Sequence, residues 1–131
     1  MDLNIRGWSA VITGASKGIG RAVAERLAAE GVNVHLVART VTSLETAASE
    51  LKNRYGVDTG FSALDLSVSS NVDQLFAEYS GTIDILVNNA GAIPGGSIDR
   101  VDEATWRQAW DLKVFGYINM CRLAFDRMRD A

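Results

Sequence analysis

The chain has 131 residues, 47% of them hydrophobic, which is enough apolar material for one folded domain and too much for a disordered segment. Its formal charge is −3 and Lys and Arg form no block, which argues against nucleic acid as a partner. No apolar run approaches the ~18 residues of a membrane span, and the single Cys121 excludes a disulfide framework or a multi-cysteine metal site.

In chain order, residues 9–13 read as a first strand. Residues 18–30 read as a helix with Ile19, Val23 and Leu27 on one apolar face, stopped by Gly31. A Val-rich strand covers 32–38, and a helix carrying Leu44, Ala48, Leu51 and Tyr55 covers 42–55. Residues 57–64 form a third strand. Ser70-x-x-Asp73 has the form of a capping box, opening a helix with Val72, Leu75, Phe76 and Tyr79 inward. A fourth strand covers 83–88 and a loop with Pro94, Gly95 and Gly96 covers 92–100. Residues 102–129 read as one long helix, apolar around its whole circumference, and such a helix is buried on several sides. Near-continuous apolar strands alternating with helices predict an α/β fold: a doubly wound parallel sheet of order 3-2-1-4 in a three-layer α/β/α arrangement. The N-terminal residues 1–7 lack the long apolar stretch of a signal peptide, so a cytoplasmic location is expected.

The most informative stretch is Thr13-Gly14-Ala15-Ser16-Lys17-Gly18-Ile19-Gly20, between the first strand and the first helix. Glycines there allow a tight turn and close approach of backbone to a pyrophosphate, and the helix start directs free N–H groups at the phosphates. A second motif, Asn88-Asn89-Ala90-Gly91, directly follows the fourth strand. Together the two motifs resemble the short-chain dehydrogenase/reductase family, and the resemblance covers nearly the whole chain. It implies a Rossmann-type NAD(P)-binding domain, here residues 1–131 and incomplete at the C-terminus. The activity it implies is hydride transfer between the cofactor and a small carbonyl or alcohol substrate.

The second strand ends on Ala38 and Arg39, with no acidic residue to hold a ribose 2′-hydroxyl. Arg39 and Lys17 could instead grip a 2′-phosphate, which favours NADP over NAD; otherwise they are exposed surface charges. By the resemblance, Asp65 and Leu66 contact the adenine, although a strand-end Asp also serves to satisfy loop N–H groups. Asn88 is the candidate for tying neighbouring strands together, while Ala90 and Gly91 leave room for the nicotinamide ribose. The expected cofactor set is therefore Gly14, Ser16, Lys17, Gly18, Ile19, Gly20, Arg39, Asp65, Leu66, Asn88, Ala90 and Gly91, with no metal.

Family chemistry needs a Ser, a Tyr-x-x-x-Lys pair and an Asn on the long helix. Four residues beyond Tyr55, Tyr79 and Tyr117 stand Thr59, Ile83 and Cys121, so the pair is missing. The Asn position, seven residues after Trp106, holds Lys113, the one candidate catalytic residue. It either reaches the site and pairs with a carboxylate or water, or is a plain surface charge. The chain reads as the cofactor-binding part of a longer enzyme. The alternative is a non-catalytic NADP-binding half-domain acting as sensor or partner subunit. The helix 102–129 is buried either by more of the same chain or by a subunit interface, and a homo-oligomer through it is expected. His35 reads as packing, as do Trp106 and Trp110, and Cys121 as a small core hydrophobe.

Overall fold

The computed structural model describes residues 1–91 and 95–131, so Ala92 and Pro94 of the expected 92–100 loop lie outside the described residues. Strands β1 (Ser9–Thr13), β2 (Asn33–Ala38), β3 (Thr59–Ala63) and β4 (Ile85–Val87) pair in parallel in the order β3-β2-β1-β4, as the alternation predicts. Ala10 of β1 stands between Val34 and Ile85, so β1 and β2 carry the centre of the sheet. β1 has the expected bounds, and β2, β3 and β4 are each shorter than their apolar runs. Val32, for instance, donates its N–H to the Leu27 carbonyl at 3.0 Å, which makes it part of a turn.

The α-helices among the described residues are α1 (Gly18–Ala29), α2 (Val41–Tyr55), α3 (Ser69–Glu78), α4 (Glu103–Trp110), which has no buried residue, and α5 (Tyr117–Arg129). Alternate residues of a strand face opposite sides, and this divides the core in two. Ala10, Ile12, Val34 and Leu36 pack with Ala24 and Ala28 of α1 and Leu44, Ala47 and Leu51 of α2. Val11 and Val37 pack on the other side with Val72 and Leu75 of α3 and Met120 and Ala124 of α5. Burial of each of these Leu or Val side chains contributes about 1.5–3 kcal/mol, and α3 and α5 also touch polar to polar. The Arg127 guanidinium of α5 donates to the carbonyls of Phe76, at 2.7 Å, and Tyr79, capping the end of α3 that has no basic residue of its own.

Three sequence expectations are corrected. The buried face of α1 is the small one, Gly20, Ala24 and Ala28, which lets the helix approach the sheet closely; Ile19 points outward, 75% exposed. No capping box forms at Ser70. Helix α3 starts at Ser69 after Val68, because Asp65 has already turned the chain by accepting from the Ser67 N–H and hydroxyl at 3.0 and 2.7 Å. The stretch 102–129 is not one buried helix. Asp102 caps α4 by accepting from the Thr105 N–H at 2.9 Å. A π-helical segment over Asp111–Gly116 then joins α4 to α5. Only one side of α5 is in the core, and Trp110, Phe115, Ile118 and Phe125 are exposed. Among the described residues, no helix is long and apolar enough to cross a membrane.

Candidate cofactor site

The turn from β1 into α1 is built by close contacts that only glycine permits. Gly14 has φ +64°, a left-handed conformation that disfavours a side chain, and a Cβ there would stand 2.9 Å from the Asn89 amide nitrogen. Gly20 is tighter still: its Cβ would lie 2.2 Å from the Gly14 carbonyl oxygen. The first turn of α1 thus rests directly on the Gly14 carbonyl, which also accepts from Asn89 Nδ2 at 3.2 Å. Ala15 donates its N–H to Val37 at 3.3 Å and fastens the same turn to β2.

At the carboxyl ends of the strands these pieces enclose a cleft of about 350 Å³. The glycine turn supplies Gly14, Ser16, Lys17 and Gly18; the end of β2 supplies Val37, Ala38, Arg39 and Thr40. Leu64 and Leu66 follow β3, Asn89, Ala90 and Gly91 follow β4, and Leu112 comes from the π segment. The amino end of α1 opens here through Gly18, with no side-chain cap and no acidic residue in its first turn. Its unpaired N–H groups and positive dipole end favour an anion. This cradle fits the pyrophosphate of a dinucleotide. Apolar walls from Val37, Leu64 and Leu66 suit a base, and Lys17 and Arg39 bring positive charge to the β2 side.

Four residues of the expected set are not among those that line this cleft: Gly20 is buried beneath the turn, Ile19 is 75% exposed at the start of α1, and Asp65 and Asn88 make the contacts described next. The carboxyl of Asp65 is engaged with Ser67, whose two hydrogen bonds hold it below the usual carboxylate range, with a smaller contribution from the nearby Arg39 guanidinium. That is the loop-satisfying role. Asn88 turns toward α5 and donates to Cys121 Sγ at 3.2 Å. Its neighbour Asn89 makes the tie between strands that was expected of Asn88. Asn89, Leu64, Thr40 and Leu112 also line the cleft and stand outside the expected set, Asn89 although it belongs to the Asn88–Gly91 motif. For Asn89 the signal was present: adjacent asparagines just past the end of β4 turn to opposite sides.

Lys113 is exposed on the π segment, and its Cδ lies 3.7 Å from where a Gly91 Cβ would stand. Cys121 is also exposed, not the small core residue expected. His35 packs as expected, its ring 4.7 Å from that of Tyr79 and its Nε2 2.8 Å from Ser62 Oγ.

A profile of the short chain dehydrogenase family matches residues 9–131. The 3-oxoacyl-(acyl-carrier-protein) reductase of Chlamydia muridarum is 34% identical over 117 residues, which cover 86% of this chain and 47% of that protein. L-sorbose reductase from Gluconobacter frateurii, solved with NADPH and L-sorbose, superposes with a TM-score of 0.93 at 39% identity, over 99% of this chain and 51% of that one. An alcohol dehydrogenase from Thermococcus sibiricus, solved with 5-hydroxy-NADP, gives a TM-score of 0.89 at 31% identity, over 95% of this chain and 55% of that one. The chain spans about half the length of these relatives.

Proposed function

This chain belongs to the short-chain dehydrogenase family, and on that premise we propose that it binds NADP(H) for hydride transfer to and from a small carbonyl or alcohol substrate. One observation carries the cofactor choice: Arg39 and Thr40 at the end of β2 line the cleft together with Lys17, and among the described residues no carboxylate lines it. A guanidinium and an ammonium at that place attract a 2′-phosphate, and no acidic side chain is present to select the bare ribose. The solved neighbours that carry NADPH or an NADP analogue point the same way.

When bound, the nicotinamide supplies or accepts the hydride. The residues of this chain bind and orient it. The amino end of α1, with Gly14 and Gly18, holds the pyrophosphate; Lys17 and Arg39 neutralise the 2′-phosphate; Leu64 and Leu66 wall the adenosine end. Ala90 and Gly91 are small enough to leave space beside β4 for the nicotinamide ribose.

Titration of the chain with NADPH and with NADH, followed by nicotinamide fluorescence, tests this. NADPH is expected to bind at least about tenfold more tightly, as the loss of one or two charge-assisted hydrogen bonds requires. Arg39→Asp should erase or invert the preference. Equal affinities for the two cofactors in the unaltered chain would overturn it.

We further propose self-association through the exposed apolar side chains of 102–129.

A further inference from the structure

A third cation stands beside the cleft, on the side away from the expected 2′-phosphate. Lys113 directly follows the cleft-lining Leu112, and the carbons of its side chain run beside the cleft-lining Gly91. Among the described residues Lys113 makes no ion pair. Lys17 and Arg39 are likewise without an ion pair among the described residues, but they stand by β2. Lys113 stands by β4, on the other side of β1. Two interstrand spacings, ~10 Å, separate β2 from β4, so a 2′-phosphate at Arg39 does not neutralise Lys113.

We propose that the Lys113 ammonium receives a carboxylate of the substrate at the β4 end of the cleft, which makes the substrate class an oxo acid or hydroxy acid. This rests on the dinucleotide reading given above, which places the nicotinamide, and with it the reacting carbonyl, beside Gly91. The lysine stem runs past Gly91 at van der Waals distance, and the exposed ammonium lies at the end of that stem beside the mouth of the cleft. A flexible stem with a compact charge suits a carboxylate that arrives with the substrate. An oxo acid meets its counter-charge there; a neutral ketone of the same length meets nothing that distinguishes it.

The test uses the chain loaded with NADP+, with levulinate as the anionic probe and butyl methyl ketone as its neutral counterpart, followed through the Gly91 backbone amide by NMR. Levulinate is expected to shift that amide saturably and the ketone to leave it unmoved. Lys113→Met should weaken levulinate about tenfold, Lys113→Arg should retain it, and both should leave NADP+ affinity and the melting temperature unchanged. The proposal is overturned by equal binding of the two probes, by no binding of levulinate, or by an unaltered response in Lys113→Met. A loss of NADP+ affinity in Lys113→Met overturns it too, because the ammonium would then serve a cofactor phosphate. Failure of the unaltered chain to bind NADP+ is read separately and strikes the dinucleotide reading. Levulinate titrated without nucleotide then decides whether Lys113 receives anions at all.

Discussion

The Thr13 hydroxyl oxygen accepts the backbone N–H of Asn89 at 2.9 Å and that of Ala90 at 3.0 Å, and Thr13 is buried. One side chain at the end of β1 therefore positions the segment leaving β4, and with it the floor of the cleft. Thr13→Val keeps the shape and removes the acceptor, stranding two N–H groups. It should cost about 2 kcal/mol, read as a lower urea midpoint, and weaken NADPH binding. Thr13→Ser should recover most of the binding. Unchanged stability in the Val variant would show that water replaces the hydroxyl.

Gly20→Ala should be far more damaging than its chemistry suggests. The new methyl would stand 2.2 Å from the Gly14 carbonyl oxygen, and backbone has to move to admit it. A loss of about 3 kcal/mol is expected, together with loss of nucleotide binding, because the same carbonyl anchors the turn that holds the phosphates. Thermal melts with and without NADPH measure both effects. A Gly20→Ala chain that NADPH still stabilises normally would contradict the geometry.

Burial holds the His35 imidazole below its usual pKa of 6.5. The unfolded chain therefore takes up the proton more readily than the folded one, so stability is full above about 6.5 and falls as pH drops through the folded value. A melting temperature lower at about pH 5.5 than at about pH 7.5 is expected. His35→Gln should flatten that difference, since carboxylates titrate mostly below this window. An equal slope in both chains would place the sensitivity elsewhere.

Phe115 and Phe125 are 56% and 61% exposed on the π segment and α5, a large apolar area for a surface in water. Replacing both by Glu should shift sedimentation toward the monomer and leave the fold intact, because the core side of α5 is Met120 and Ala124. An unchanged sedimentation profile would remove the self-association proposal.

The sheet order was legible because buried parallel strands are written as apolar runs separated by helical periods. The glycine turn was legible because its backbone demands leave few residue choices. The outward turn of Ile19 was hidden, since periodicity weighs large apolar residues and the true contact face is Gly20, Ala24 and Ala28. The exchange of Asn88 for Asn89 arose from the end of β4: with the strand stopping at Val87, the two neighbours point to opposite sides. The π segment left no trace in the sequence pattern, because one widened turn changes the hydrogen-bond partners without changing the composition.

That widened turn acts as a phase adjuster between the two ends of the 103–129 stretch. Each residue of an α-helix advances about 100° around the axis, so one residue more or less in Asp111–Gly116 rotates all that follows relative to all that precedes. Met120 and Ala124 would swing off α3, and Gly116 would leave the Leu66 carbonyl, from which its Cβ would stand 3.0 Å. Leu112 and Lys113 would keep their place at the cleft only if the core gave way. The segment is therefore fixed in length although much of it is exposed. Insertions that the outer loops absorb would be lethal to the fold there, and a single-residue deletion that regularised the helix would make it locally smoother and globally unfoldable.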